Sequence, residues 1–152
     1  MADEFLHNGR ELISFLVGDQ EFCVDINAVV EIRGWTPATP MPHSASYVRG
    51  VINLRGAIMP IIDLGARLGL GAAEPTARHV IIVANVNDRK VGLLVDAVCE
   101  TLNIGDDAVH PAPDLGDAAA RRFIVGFIPA EGRMITLLDL APVLPESGQV
   151  AA

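Results

Sequence analysis

The sequence predicts an all-β protein with a few short helical turns. Its apolar segments are short, rich in Val and Ile, and separated by turn residues, a pattern typical of many short strands. The chain has 152 residues, which fits one domain or two very small ones. Apolar residues make up 51% of the chain and charged residues only 20%, so a sizeable core can form without disulfides or metals.

Ten strands are predicted in chain order, near residues 11–17, 21–24, 30–34, 51–54, 57–62, 80–86, 90–95, 98–102, 123–129 and 134–138. Four neighbouring pairs of strands are separated by two residues that favour tight hairpins. Gly, Asn and Asp favour such turns because they tolerate a positive φ angle. The predicted hairpin turns are Gly18-Asp19, Arg55-Gly56, Asn87-Asp88 and Glu131-Gly132.

Helical and loop segments are few. Short helical turns are predicted after Asp63 and after Asp139, and a third helical segment near 118–122. The stretch 35–43 is predicted to be a loop because it carries three prolines, which cannot donate a ladder hydrogen bond within a sheet. The stretch 69–76 is small and flexible in composition and is predicted to mark the boundary between two halves.

An internal repeat divides the chain. Residues 50–64 align without gaps with residues 126–140 at an offset of 76, and five of the fifteen positions are identical. A weaker similarity relates 19–31 to 88–100. The repeat predicts two similar small β-barrels of about five strands within one domain, which would leave few exposed sheet edges. We place the domain at 9–145, one barrel at about 14–68 and the second at 78–144, with strands allowed to cross between the halves, and short flexible tails at 1–8 and 146–152.

The repeated aspartates, Asp63 and Asp139, each end a strand and precede a short apolar turn, so they are predicted to cap a helical turn. Two β halves that each carry an Asp could also form an aspartic protease. In such enzymes the Asp is followed by Thr or Ser and then Gly, whereas both aspartates here are followed by Leu. No phosphate-binding loop and no nucleophile elbow is found either, so we predict no catalytic residue and no enzyme activity.

Metal ligands and cofactor motifs are not predicted. The four histidines, at 7, 43, 79 and 110, are too far apart to show a metal-ligand spacing. Cys23 and Cys99 each lie in an apolar run and are predicted to be buried free thiols. A disulfide between them is the alternative that the sequence leaves open.

The formal net charge of −8 and the absence of a basic cluster argue against binding to nucleic acid or to anionic lipid. The apolar runs are far shorter than the ~20 residues that span a membrane. The acidic start of the chain, Met1 to Glu4, does not resemble a signal peptide, which begins with basic residues. The expectation is a cytoplasmic protein without direct membrane insertion.

The stretch from Tyr47 to Leu64 carries a Gly-Val-x-Asn-Leu-Arg-Gly core and then a strand that ends in Pro-Ile-x-Asp-Leu. This stretch resembles the central signature of the CheW-like domain family, and residues 25–33, 91–98 and 104–113 support the resemblance. It covers about residues 9–145. The resemblance implies two SH3-like five-stranded β-barrels packed around a shared core.

The resemblance also implies a function. CheW-like adaptors couple chemoreceptors, the methyl-accepting chemotaxis proteins, to the histidine kinase CheA in receptor arrays at the inner membrane. They bind the cytoplasmic tips of the receptors and the regulatory domain of the kinase. The positions that match the receptor-facing surface of the family are Val29, Glu31, Gly50, Asn53 and Arg55. Glu31 and Arg55 are expected to pair across adjacent strands, and Gly56 and Gly132 to be turn residues.

Two alternatives remain open at this level. The chain could serve a non-flagellar, pilus-type chemosensory system, or it could be a small β-barrel ligand-binding module. A ligand-binding module should contain a deep pocket with converging polar groups, whereas the adaptor should show a shallow apolar groove between its halves. The isolated adaptor is expected to be a monomer without a cofactor, because its contacts are made with other chains.

Overall fold

The computed structural model describes residues 9–111 and 121–145 and confirms an all-β fold with very few helical residues. Every predicted strand is present, with ends shifted by three residues at most. The strands are β1 (Gly9–Val17), β2 (Gln20–Asp25), β3 (Val29–Gly34), β4 (Val48–Leu54), β5 (Ala57–Asp63), β6 (Val80–Val86), β7 (Arg89–Val95), β8 (Ala97–Gly105), β9 (Ile124–Ala130) and β10 (Arg133–Leu138). The helical elements are α1 (Leu64–Arg67) and 3-10 turns at Ile26–Ala28, Asp106–Ala108 and Ala141–Val143. The helical segment predicted near 118–122 lies largely outside the described residues, as do both tails.

The four predicted hairpin turns are confirmed. They join β1 to β2, β4 to β5, β6 to β7 and β9 to β10, and each pair of strands is antiparallel. In three of the turns both central residues have a positive φ, the geometry of a type I′ turn, which follows the natural twist of the strands. Arg55 and Gly56, for example, have φ angles of 53° and 87°.

The ten strands form two five-stranded sheets. Sheet 1 has the order β8-β1-β2-β10-β9, and sheet 2 has the order β3-β6-β7-β5-β4. The strands are therefore not divided at 14–68 and 78–144, the boundaries that the repeat suggested. The middle of the chain, from β3 to β7, forms sheet 2, while the strands near both ends form sheet 1.

The reason is an exchange of strands between the two repeats. β1–β5 and β6–β10 take equivalent places, but each sheet combines strands of both repeats: sheet 2 contains β3, β4 and β5 of the first with β6 and β7 of the second, and sheet 1 contains β8, β9 and β10 of the second with β1 and β2 of the first. Each sheet also has a parallel pair at an equivalent place, β2 with β10 in sheet 1 and β7 with β5 in sheet 2. Because neither sheet can be completed from one repeat alone, the two barrels depend on each other to fold.

Each sheet is closed by the loop that follows one of its edge strands. In sheet 2, Thr39 lies in the loop after β3 and exchanges two 2.9 Å backbone hydrogen bonds with Val51 on the opposite edge strand, β4. In sheet 1, His110 exchanges two 2.8 Å bonds with Phe127 on β9 in the same way. These bridges satisfy edge groups that would otherwise face solvent and turn each sheet into a barrel.

Three apolar clusters form the interior. The largest, which we call the shared core, lies between the sheets and draws on both, for example Phe15 and Phe22 from sheet 1 and Ile62 and Leu93 from sheet 2. The other two clusters fill the barrels, one around Met59 and Ile61 and one around Leu12, Ile128 and Ile135. Neighbouring residues of a strand therefore pack into different clusters, and this explains the continuous apolar runs in the sequence.

The prediction that both cysteines are buried free thiols is right for Cys23 and wrong for Cys99. Cys23 is fully buried inside the barrel of sheet 1, and this burial raises the pKa of its thiol to about 12. Cys99 is exposed because its neighbour Val98 is the β8 residue that packs on the shared core. Both thiols are free. Strand β1 separates β2 from β8, so the two cysteines lie about 9–10 Å apart, beyond the ~7 Å limit for a disulfide.

Thiol labelling of the native protein with Ellman's reagent should therefore report one reactive cysteine. We expect Cys99→Ser to abolish this reaction, and Cys23 to react only after denaturation, because a buried and protonated thiol is a poor nucleophile. Two equivalents of fast reaction in the native state would contradict the placement of Cys23. The matched control is Cys23→Ser, which should keep the fast phase.

Candidate functional site

Glu31 and Arg55 form an exposed ion pair at one end of sheet 2. Nη1 of Arg55 donates to Oε1 of Glu31 at 2.7 Å, and Nη1 of Arg33 lies 3.5 Å from the other carboxylate oxygen. The hydrogen bond from Arg55 is the main reason that the pKa of Glu31 is lowered, with charge attraction from both arginines adding to it. β3 and β4 are opposite edges of sheet 2, so this pair spans the closed seam of the barrel and does not join adjacent strands as predicted.

The β4–β5 turn holds Arg55 in place. Asn53 is exposed, and its Oδ1 accepts a 2.8 Å hydrogen bond from the backbone N–H of Gly56. Gly56 has the positive φ that the turn requires, 87°. The side chain of Arg55 remains 68% exposed beyond this turn. The structure thus brings together Glu31, Asn53 and Arg55 of the sequence-predicted set.

Val29 and Gly50 lie elsewhere. Val29 is half-buried and packs against the shared core. Gly50 is buried with a φ of 141°, and a Cβ atom built there would lie 2.2 Å from the carbonyl oxygen of Thr39. A side chain at position 50 would thus collide with the backbone bridge that closes sheet 2. The structure gives Gly50 a role in barrel closure.

Asp63 lies at the junction of the barrels and is 2% exposed. Its Oδ1 accepts from the N–H of Ala66 at 3.2 Å and caps α1, while Oδ2 accepts from the N–H of Ala73 at 2.8 Å. Arg49 completes the site: Nη2 lies 3.2 Å from Oδ2 of Asp63 and also donates to the carbonyl of Ala73. The loop that the composition marked as flexible is therefore bound to the strands at Ala73.

Asp139 occupies the equivalent position of the second repeat but is exposed. Its Oδ1 accepts from the N–H of Ala141 at 3.1 Å, but the cap residue of the following 3-10 turn is Leu140, so Asp139 is not the cap that the repeat predicted. The position equivalent to Arg49 is Val125, so this aspartate has no matching cation. Gly132 has a positive φ of 82°, and its counterpart in the first repeat, Gly56, has a φ of 87°.

Arg67, the last residue of α1, contacts residues of both repeats. The sequence analysis did not identify this residue. Its guanidinium lies 4.2 Å from the ring centre of Tyr47 and 5.2 Å from that of Phe123, two residues at equivalent positions of the repeat. It also donates to the carbonyls of Pro142, at 2.7 Å, and Val143, at 3.1 Å. The offset of 76 between two aromatic residues was the available signal, because cations stack well on such rings.

Two cavities lie near the junction of the barrels. A cavity of about 230 Å³ with a mixed polar and apolar lining lies beside Asp63 and Asp96, and both carboxylates are engaged within the chain. Oδ2 of Asp96 accepts from the N–H of Gly18 at 2.9 Å, and His79 lies 3.4 Å from Oδ1. A second, mainly apolar groove of about 180 Å³ runs between the barrels past Phe22, Leu68 and Phe123. This combination favours the adaptor over the ligand-binding module.

Residues 9–111 and 121–145 contain neither a candidate metal cluster nor a candidate membrane-spanning helix. Within these ranges no three His, Cys, Asp or Glu side chains are grouped so that they could hold a metal ion. No helix in the same ranges is long and apolar enough to cross a membrane.

Comparisons with known proteins agree with this geometry. Residues 11–147 match the family described as CheW-like domain. The chain is 59% identical to "Chemotaxis protein CheW" of Rhizobium meliloti (strain 1021), over 99% of this chain and 97% of that protein. It is also 31% identical to "Protein FrzA" of Myxococcus xanthus, over 93% and 89%.

A solved structure supports the fold. The crystal structure of scaffolding protein TtCheW from Thermoanaerobacter tengcongensis superposes with a TM-score of 0.83 at 29% sequence identity, covering 91% of this chain and 90% of that one. The family match and the relatives extend over almost the whole chain, and they agree with the resemblance seen in the sequence. The chain belongs to the CheW-like domain family and is a chemotaxis scaffold, or adaptor, without enzymatic activity.

Proposed function

We propose that this chain couples chemoreceptors to the histidine kinase CheA, with the Glu31–Arg55 surface facing the receptor. The observation that carries the proposal is the exposed 2.7 Å ion pair itself, in a chain of a chemotaxis scaffold family. Exposed pairs stabilise a fold very little, so the value of this one lies in orienting charge towards a partner. Asn53 lies on the same turn and extends the surface.

The coupling requires two partners to be held at once. The receptor-facing surface includes the Glu31–Arg55 pair and the groove between the barrels, and the regulatory domain of CheA binds a surface at a barrel end. A conformational change in the receptor then alters kinase activity through shared contacts, because two bound partners that prefer the same arrangement bias one another. We propose a cytoplasmic location within receptor arrays, and a monomer when the chain is isolated.

Co-sedimentation with a receptor signalling fragment and the CheA regulatory domain tests the proposal. Wild type is expected to bind both partners. Arg55→Glu is expected to lose the receptor, because the ion pair becomes a repulsive pair with Glu31, and to keep kinase binding and a wild-type circular dichroism spectrum.

Glu131→Arg is a matched control, because Glu131 has the same turn position in the second repeat and also has a positive φ. It should leave receptor binding unchanged. If wild type binds neither partner, the proposed coupling is wrong. If Arg55→Glu and Glu131→Arg weaken receptor binding equally, the receptor does not bind the Arg55 turn specifically.

A second candidate function is that of an adaptor in a non-flagellar chemosensory system. The similarity to FrzA, a relative that does not carry the name CheW, favours it. The same mechanism would then serve another chemosensory system, with its own receptors and kinase. Parallel binding assays against two sets of receptor and kinase fragments distinguish the candidates. The system that the chain serves should show the tighter binding of both partners.

A further inference from the structure

The guanidinium of Arg67 lies close to an approximate twofold axis that relates the two repeats. A step of five strands along the chain exchanges sheet 1 with sheet 2, and a second step restores them, so the relation is twofold. At the offset of 76, Tyr47 corresponds to Phe123, and Arg67 itself corresponds to Val143. The guanidinium contacts both equivalent rings, at 4.2 and 5.2 Å, and also the carbonyl of Val143. A group that contacts equivalent residues in this way must lie near the axis.

Only one cation can occupy this place. Val143 is fully buried in the shared core, whereas Arg67 is partly exposed. A second arginine at position 143 would bring two positive charges together near the axis, where they would repel each other. The two repeats therefore differ here, with a cation in the first and a carbonyl acceptor in the second.

The contacts of Arg67 join the barrel of sheet 2 to the barrel of sheet 1. Arg67 follows β5 and Tyr47 precedes β4, both in sheet 2, whereas Phe123 precedes β9 of sheet 1. Nε donates to Val143 at 3.1 Å and Nη2 donates to Pro142 at 2.7 Å, just after β10 of sheet 1. Carbonyls at the end of a helical turn lack a partner within the turn, so they are good acceptors for such a fork of donors.

These contacts are directional, unlike those of the shared core. Apolar contacts between the barrels, such as those around Phe22 and Leu93, are non-directional and tolerate a small rotation. Hydrogen bonds weaken steeply when their angle changes, and a stacked cation loses its attraction when it leaves the face of the ring. Arg67 makes both kinds of contact across the junction, so a rotation of one barrel against the other breaks them.

The groove between the barrels lies directly against Arg67. Leu68, the next residue of the chain, and Phe123, one of the two stacked rings, both line this groove of about 180 Å³. Leu68 belongs to the segment after α1 of sheet 2, whereas Phe22 on the facing wall belongs to β2 of sheet 1. A rotation of the barrels would therefore change the distance between the walls of the groove.

We propose that Arg67 fixes the angle between the two barrels, and with it the width of the groove between them. Without this side chain both barrels stay folded, and their relative orientation varies. The consequence for binding rests on the proposed receptor coupling. A groove of variable width binds the receptor more weakly, because only part of the population has the shape that binds. Arg67 is thus a positioning residue.

Double electron–electron resonance between two spin labels tests the inference in the full chain. One label is attached to Cys99, which is exposed on β8 of sheet 1, and the other to Ala57→Cys in the exposed hairpin of sheet 2. The chain with the native Arg67 should give one narrow distribution of distances. Arg67→Met removes the charge and the donors at similar length, and its distribution should be clearly broader while the circular dichroism spectrum stays unchanged.

Three further variants separate orientation from other effects. Arg122→Met is the matched control, because Arg122 also stacks on Phe123, at 4.8 Å, but is the neighbour of this ring in the chain. Ile128→Val lowers stability inside the barrel of sheet 1. Both should keep the narrow distribution. Arg67→Lys keeps the cation and loses the planar fork, so its distribution should have an intermediate width.

A narrow, unshifted distribution for Arg67→Met would overturn the inference. If Arg67→Met does not fold, Arg67→Lys decides in its place, and a distribution as narrow as that of the native side chain has the same meaning. The inference also fails if Ile128→Val broadens the distribution as much as Arg67→Met, because lost stability would then explain the result.

Calorimetry with a receptor signalling fragment measures the consequence for binding. Arg67→Met is expected to bind about fivefold more weakly than wild type, and Arg122→Met as tightly as wild type. A broad distribution together with wild-type affinity would show that the groove width does not matter for the receptor, against the inference. If wild type itself does not bind the fragment, the proposed coupling fails, whereas the distance distributions still decide the role of Arg67.

Discussion

Gly50→Ala is expected to destabilise the protein by about 3–5 kcal/mol, a large part of the stability of a domain of this size. The added Cβ would meet the carbonyl oxygen of Thr39 at 2.2 Å and its carbonyl carbon at 2.6 Å, and both are backbone atoms. The φ of 141° adds strain to any side chain at this position. The strand and loop would have to separate, and the two 2.9 Å hydrogen bonds that close sheet 2 would be lost.

Urea denaturation followed by circular dichroism measures this loss. Gly34→Ala is the matched control, because a Cβ there meets nothing within 4 Å and its φ is not positive. Its stability should change by about 0.5 kcal/mol at most. Equal unfolding midpoints for Gly50→Ala and wild type would show that the loop after β3 does not close the barrel. If Gly50→Ala stays folded, its receptor binding shows whether the position acts through the fold.

Asp63→Ala is expected to cost about 3 kcal/mol, the lower end of the range for breaking a buried ion pair, since Arg49 is 30% exposed and can regain water. The substitution also leaves the N–H groups of Ala66 and Ala73 without their acceptor. Two structures should be lost together, the cap of α1 and the attachment of the loop at Ala73. Limited proteolysis is therefore expected to cut near residues 69–76 in this variant and not in wild type.

Asp139→Ala gives the internal comparison. This aspartate has the same place in the second repeat but is exposed and accepts one hydrogen bond, from the N–H of Ala141. Its removal should cost about 1 kcal/mol, the usual net value of one hydrogen bond. A third variant, Asp63→Asn, keeps an acceptor oxygen, so its loss of stability should lie between those of Asp63→Ala and Asp139→Ala. Equal losses for Asp63→Ala and Asp139→Ala would show that Arg49 adds nothing.

The local structure could be predicted from the sequence because its causes are local. Short runs rich in Val and Ile between turn residues define strands, and pairs such as Asn87-Asp88 and Glu131-Gly132 define two-residue turns through the φ angles they tolerate. The repeat at an offset of 76 also predicted that two similar barrels exist. It also related two aspartates correctly, since Asp63 is the last residue of β5 and Asp139 directly follows β10, the equivalent strand of the second repeat.

The sequence alone therefore determined the fold class, the ten strands, the hairpins and the family. Only the tertiary structure decided which strands share a sheet, because the combination of strands from both repeats in each sheet depends on contacts between residues far apart in the chain. It also decided burial. Cys99 and Gly50 lie in similar apolar surroundings in the sequence, yet one is exposed and the other buried. A strand has two faces, and the packing of other elements decides which face is buried. A local sequence pattern does not contain this information.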